Sequence, residues 1–146
     1  MNLELVMCTS NYWNFIRELR TDNRVIDGFV DTLTITPEQQ TLYMLKNAKY
    51  FRVALVNGKP SGYVGVIQDD IRVCTHPHFQ GIGVGKFMIA ECMKIWPNAK
   101  AKVKHGNTVS DKLFKNCGFK VIGKDENFTY YKLKNKAPRL KNEKRR

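Results

Sequence analysis

The sequence is short of acid. It holds 13 Asp and Glu against 25 Lys and Arg, which gives a formal net charge of +12 and a pI of about 9.7. It also lacks any apolar run of the ~20 residues that a membrane span needs, so a transmembrane helix is excluded. The start, Met1-Asn2-Leu3-Glu4-Leu5, has neither the charged opening nor the long apolar core of a signal peptide. A cytoplasmic location without membrane contact is therefore expected. The four cysteines, Cys8, Cys74, Cys92 and Cys117, show no CxxC spacing. That argues against a zinc site, and no metal is expected. The cysteines read as reduced, buried small hydrophobes. What remains is ordinary for a globular chain: 146 residues, 42% of them hydrophobic, enough for one domain with its own core.

The charge is unevenly spread. Residues 132–146 carry eight Lys and Arg against Glu143 alone, so this short segment holds +7 of the net +12. Beyond Lys136 there is no apolar periodicity, and Pro138 interrupts the run. The expected organisation is a folded domain over residues 1–133 and a basic, disordered tail over 134–146. Such a tail attracts nucleic acid or another polyanion by releasing counterions, or it serves only to keep the chain soluble.

Periodicity and turn chemistry order the elements. Leu3 to Cys8 reads as a strand. Thr9-Ser10-Asn11 offers caps for a helix whose apolar face is Tyr12, Phe15, Ile16 and Leu19. Thr36-Pro37-Glu38-Gln39 is a strong helix start, and that helix runs through Leu42, Met44 and Leu45. Phe51 to Val56 and Gly62 to Ile67 are strands joined through the hairpin signal Asn57-Gly58-Lys59. A further strand covers about Asp70 to Thr75. A helix follows as far as about Trp96-Pro97-Asn98, then a strand from Ala99 to Lys104. A short helix from Asn107 to Asn116 is stopped by Gly118. Phe119 to Gly123 and Phe128 to Leu133 close the chain as strands. The order β-α-α-β-β-β-α-β-α-β-β predicts an α/β fold of the α+β type, a mixed sandwich with one sheet.

The stretch Gln80-Gly81-Ile82-Gly83-Val84-Gly85 sits between the apolar strand Ile71–Cys74 and the helical run that begins Phe87-Met88-Ile89. A strand, a glycine loop and a helix N-terminus together form a device for holding phosphate. The glycines admit close approach, and the unpaired N–H groups of the first turn face the anion. A dinucleotide-binding fold would place this loop after the first strand of alternating β-α units. Here it follows three consecutive strands, two of them a hairpin.

These features resemble the GNAT acyltransferase superfamily, which moves acetyl from acetyl-CoA to an acceptor, usually an amine. Residues 80–85 look like its pyrophosphate loop. Thr75-His76-Pro77-His78-Phe79 is similar to its lead-in to that loop. Leu113-Phe114-Lys115-Asn116-Cys117-Gly118-Phe119 is similar to its Leu-Tyr-x-x-x-Gly-Phe ending. The resemblance covers about Leu3 to Leu133 and implies a single mixed, mostly antiparallel sheet with helices on both faces. It implies that acetyl-CoA is bound by Gln80, Gly81, Ile82, Gly83, Val84, Gly85 and Lys86. It also implies that the main chain of Val73, Cys74 and Thr75 lies along the pantetheine arm, where an N–H would polarise the thioester carbonyl. Asn107 and Phe114 fall at positions near the pantetheine in relatives. Lys86 is equally well read as a solvent-facing lysine, and Asn107 as a plain helix cap.

The chemistry implied is direct attack by a neutral amine. The acceptor ammonium must first lose a proton, and the released thiolate must gain one. Relatives often take the second proton from the tyrosine at the position of Phe114, which has none to give. Asp70 stands where relatives often keep a base that works through water; with its neighbour Asp69 it also reads as a solvated turn. Tyr130 and Tyr131 point to opposite faces of the last strand, so at most one reaches a cleft. Tyr130 and Asp70 are the catalytic candidates. His76 and His78 have suitable pKa values, but His76 fills a variable position.

For the acceptor, Arg72 to Gly83 is locally similar to tRNA cytidine acetyltransferases. Lys100, Lys102 and Lys104 lie on one face of a strand, either as a docking site for a polyanion or as a solvated edge. The expected partners are thus acetyl-CoA, an amine acceptor that is a small molecule, a protein or a nucleic acid, and nucleic acid docked through those lysines and the tail. A homodimer is compatible with this. The alternative is a GNAT-fold module that binds CoA or nucleic acid without turnover, the reading that Phe114 favours.

Overall fold

The computed structural model describes residues 1–25 and 35–133. The basic tail expected at 134–146 lies outside the described residues. The elements are β1 (Leu3–Met7), α1 (Trp13–Arg20), α2 (Pro37–Asn47), β2 (Phe51–Val56), β3 (Lys59–Ile67), β4 (Asp70–Thr75), α3 (Val84–Ile95), β5 (Lys100–Lys104), α4 (Thr108–Asn116), β6 (Phe119–Lys124) and β7 (Phe128–Leu133). Single 3-10 turns occupy Ser10–Tyr12, Ala48–Tyr50 and Pro77–Phe79. The strands form one sheet in the order β1-β2-β3-β4-β5-β7-β6. The expected order and mixed, mostly antiparallel sheet are both present.

Local signals account for several boundaries. Thr36 and Gln39 form a full capping box. The Gln39 N–H donates to Thr36 Oγ1 at 3.1 Å, and the Thr36 N–H donates to Gln39 Oε1 at 2.9 Å. Asn57 and Gly58 both adopt positive φ, 50° and 82°, as a two-residue hairpin turn requires.

One expectation about helices is corrected. Thr9 to Asn11 supply no side-chain cap to α1; the chain first makes the 3-10 turn and enters the helix at Trp13. α2 does run through Leu42, Met44 and Leu45, with Leu42 and Leu45 70% and 71% exposed. Met44 and Gln40 are the buried positions, and Gln40 Nε2 donates to the Trp13 carbonyl at 3.2 Å. A tertiary hydrogen bond thus places an amide where apolar patterning would place a leucine.

Strand alternation divides the core in two. Ala54, Val64, Val66, Ile71, Ala101, Val103 and Tyr131 pack with Val84, Met88, Ile89 and Cys92 of α3 and Phe114 of α4. Val53, Leu55, Tyr63 and Cys74 turn the other way, towards Ile16 and Leu19 of α1 and Met44 of α2. Helices therefore cover both faces. Cys8, Cys74 and Cys92 are buried, all four thiols are free, and no metal-binding cluster occurs among the described residues. No helix among them is long and apolar enough to cross a membrane.

Candidate functional site

The site begins as a gap in the sheet. Neighbouring strands run antiparallel except β4 and β5, which are parallel and matched only at Asp70 and Lys100 among the described residues. The Lys100 N–H donates to the Asp69 carbonyl at 2.7 Å and closes the gap at that end. The His76 N–H donates to Ser61 of β3 at 2.8 Å. In an antiparallel pair the residues that bond across alternate with those that do not. The bond at His76 therefore turns the main-chain groups of Val73 and Thr75 away from β3, into the gap. Gln80 Nε2 donates to the Thr75 carbonyl at 3.3 Å, tying the glycine loop back to the end of β4.

The loop delivers the chain into α3. Gly81 and Gly83 take φ of 82° and 94°, a region that L side chains disfavour, and Gly83 caps α3. The Phe87 N–H closes the first helical bond, to Gly83 O at 3.0 Å. The N–H groups of Val84, Gly85 and Lys86 precede that bond and have no helical partner. Gly85 serves close packing instead: a Cβ there would lie a tight 3.2 Å from Leu113 Cδ2 of α4. The first turn of α3 thus packs against the middle of α4. At the start of α4, Asn107 Oδ1 accepts from the Ser110 N–H at 3.1 Å, so the capping role expected of Asn107 is present. Ile82 and Lys86 are exposed, and Val84 is core.

On the opposite side of the sheet, a cavity of about 280 Å³ lies beneath α1 and α2. Its wall includes Ile16, Arg20, Tyr43, Met44, Tyr63 and Arg72. Arg72 Nε reaches Asp70 Oδ2 at 3.0 Å. Tyr63 is 3% exposed; burial, with the nearby Cys74 sulfur, pushes its hydroxyl far above the usual phenol range, against the pull of Arg20 and Arg72. It stays a neutral phenol. The positions of Arg20, Tyr63 and Arg72 at this cavity went unnoticed in the sequence. The available signal was that Tyr63 and Arg72 alternate out of phase with the α3-facing residues of their strands.

The other candidates separate. Phe114 is core: its ring packs edge-on against Phe119 at 5.2 Å and parallel to Tyr131 at 6.0 Å. Tyr131, also buried, donates to Asp111 Oδ1 at 2.5 Å. Tyr130 lies on the other face of β7, opposite Lys102, and donates to Asp125 Oδ2 at 2.5 Å, a bond that raises its pKa. The two tyrosines divide as alternation predicts, one core and one outer. His76 stacks on Phe15 at 6.4 Å, and its Nδ1 accepts the His78 N–H at 3.1 Å. Burial and the neighbouring His78 and Arg24 lower its pKa. Lys100, Lys102 and Lys104 share the face opposite Ala101 and Val103, which are core.

Comparison with known proteins places this geometry. The family described as "Acetyltransferase (GNAT) domain" matches residues 47–121, just over half the chain and including the whole glycine loop. No curated protein sequence matches significantly. Among solved structures, a domain from Methanocaldococcus jannaschii is similar with a TM-score of 0.77 and 20% identity, over 89% of this chain and 96% of that one. The yncA protein of Salmonella typhimurium, solved with acetyl-CoA, is similar with a TM-score of 0.74 and 16% identity, over 96% and 99%. Spermidine N-acetyltransferase from Vibrio cholerae, solved with CoA and spermine, is similar with a TM-score of 0.74 and 16% identity, over 88% and 93%. These likenesses carry the fold, and they do not single out the tRNA cytidine acetyltransferases. With the family match over the β4-loop-α3 unit, they establish that the chain belongs to the GNAT acetyltransferase family, whose co-substrate is acetyl-CoA.

Proposed function

We propose that the chain transfers the acetyl group of acetyl-CoA to an amine acceptor that enters from the α1/α2 side of the sheet. The observation that carries this reading is the parting of β4 from β5. It leaves main-chain donors and acceptors of Val73 and Thr75 facing a gap, with the free N–H groups of Val84, Gly85 and Lys86 at one end. The cavity lined by Arg20, Tyr63 and Arg72 opens on the other side. Bound in the gap, acetyl-CoA would supply an activated acyl group. Gln80, Gly81, Ile82 and Gly83 shape the loop around its diphosphate, and Cys74 and Asn107 border the arm. Phe114 packs behind them.

The reaction forms a nitrogen–carbon bond and breaks the carbon–sulfur bond. One proton must leave the acceptor ammonium, and one must reach the thiolate. Asp70, at the closed end of the gap, is the base for the first, acting through water. Arg72 Nε, 3.0 Å from Oδ2, holds its carboxylate in place. The second proton comes from solvent, because Phe114 offers none and the Tyr130 hydroxyl is committed to Asp125. The acceptor is a small amine, a protein amine or an amine carried on nucleic acid. Binding of CoA without turnover is favoured by Phe114 alone.

A thermal melt with acetyl-CoA and a transfer assay with mass detection test the proposal together. At ~100 times Kd, linkage is worth about 2.7 kcal/mol, a shift of several degrees. Asp70→Asn should lower kcat by about 10²-fold or more. It should change stability by less than about 1 kcal/mol, since its ion pair with Arg72 is partly exposed. Absence of a melting shift at saturating acetyl-CoA would refute coenzyme binding. A clear shift with no acetylated product from any amine would favour the module without turnover.

A further inference from the structure

The part of the sheet made by β5, β7 and β6 carries the α3/α4 core on one face. Its reverse face contributes nothing to either buried cluster among the described residues. The register lines up what stands there. Lys100 of β5 is opposite Lys132 of β7, which is opposite Lys120 of β6. Lys102 is opposite Tyr130, and Lys104 continues the β5 row opposite Phe128. Lys100, Lys120 and Lys132 are exposed; Lys102, Phe128 and Tyr130 are half-exposed.

The two rings are fixed in place. Their centroids are 6.3 Å apart at 60°. Lys102 Nζ stands 5.0 Å above the Phe128 ring, and the Asp125 carboxylate anchors the Tyr130 hydroxyl. Two of the carboxylates at the margins are engaged, Asp125 by Tyr130 and Asp70 by Arg72. A row of lysines alone is an ordinary way to keep a strand edge from aggregating. That purpose does not call for two aromatic rings set among the lysines. Cations at cross-strand spacing, roughly 5 Å, around half-exposed rings match a different need. A single nucleic-acid strand stacks its bases on such rings and lays its phosphates on such cations. The chain beyond β7 continues the same charge, with seven Lys or Arg in residues 134–146.

We propose that this face docks single-stranded nucleic acid, with bases on Phe128 and Tyr130 and phosphates on Lys100, Lys102, Lys120 and Lys132. The docked strand presents its amine at the neighbouring Asp70 and Arg72 of β4. This names the substrate class for the acetyl-transfer reading and rests on that reading for its chemistry; the binding itself does not depend on it.

The test uses the full chain and a fluorescent 12-nucleotide single-stranded RNA, with affinity measured between 50 and 300 mM salt. Each phosphate contact should add about 0.7 to the salt slope. Phe128→Ala should weaken RNA binding about tenfold, since stacking on one ring is worth about 1–3 kcal/mol. Phe128→Tyr should restore it, and Lys120→Glu should lower both affinity and salt slope. An unchanged melting shift with acetyl-CoA in each variant controls for folding. Equal RNA affinity of Phe128→Ala and the parent would overturn the proposal. So would an equal loss on heparin, which has no bases, or equally tight binding to phosphatidylserine vesicles. If RNA binds as described but acetyl-CoA gives no melting shift, the transfer reading fails and the docking surface stands. If the shift is present and RNA binding ignores Phe128, the reverse holds.

Discussion

The Phe114 ring lies nearly parallel to that of Tyr131, 22° between planes and 6.0 Å between centroids, and the Tyr131 hydroxyl is held by Asp111 at 2.5 Å. The phenol that stacks on Phe114 among the described residues is therefore tied to the first turn of α4. A hydrogen bond to a charged partner is worth roughly 1.5–3 kcal/mol. Tyr131→Phe should lower unfolding free energy by about that amount in a urea titration. Its effect on kcat should be less than threefold if solvent protonates the thiolate. A fall of a hundredfold or more would make Tyr131 the missing acid.

Gly83 sits at φ 94° as the cap of α3, with open space where a Cβ would go. Gly83→Val should cost about 1–2 kcal/mol from backbone conformation alone. It should also abolish the acetyl-CoA melting shift, because reorienting this residue turns the next N–H groups away from the crevice. A normal shift in a folded variant would show that the amides of α3 do not hold the coenzyme.

Thr36 supports the cavity at a distance. Its capping box with Gln39 starts α2, which forms one wall through Gln40, Tyr43 and Met44. Thr36→Ala should cost about 1 kcal/mol. It should raise KM for the acceptor while leaving KM for acetyl-CoA unchanged, since α2 lies across the sheet from the glycine loop. Steady-state kinetics with each substrate varied in turn would separate the two.

Stability should fall in alkali. Burial pushes the Cys92 thiol from its ordinary 9.0 to about 12, and Cys74 likewise; Cys8 rises to about 11, burial outweighing its bond from Trp13. In each case the fold favours the protonated form. That contribution is whole below pH 9 and is lost as pH rises towards the folded value, at up to roughly 1.4 kcal/mol per pH unit for each group. Cys92→Ala should start less stable, from its cavity, but lose stability less steeply between pH 9 and 11. Parallel slopes for parent and variant would contradict this.

What was legible in the sequence was what neighbours decide. The capping box of Thr36 and Gln39, the Asn57-Gly58 turn and the glycine loop each act within a few residues, and all are present. The helix through Leu42, Met44 and Leu45 was legible, but which of its residues are buried was not: Gln40 reaches Trp13, 27 residues away, and is buried with Met44. Alternation separated Tyr130 from Tyr131, but only the register with Lys102 and Ala101 says which is outside. The meeting of Arg20, Tyr63 and Arg72 comes from three elements, and no short-range pattern marks it.

The rift between β4 and β5 has a mechanical consequence. The sheet's two wings share one rung at Asp70 and Lys100, so their mutual alignment rests on that rung and on the helices spanning it. An extended molecule seated in the rift serves as a substitute strand, splicing the wings together. Occupancy should therefore stiffen the whole protein, slowing amide exchange in β5 and β7 as well as in the loop that grips the diphosphate.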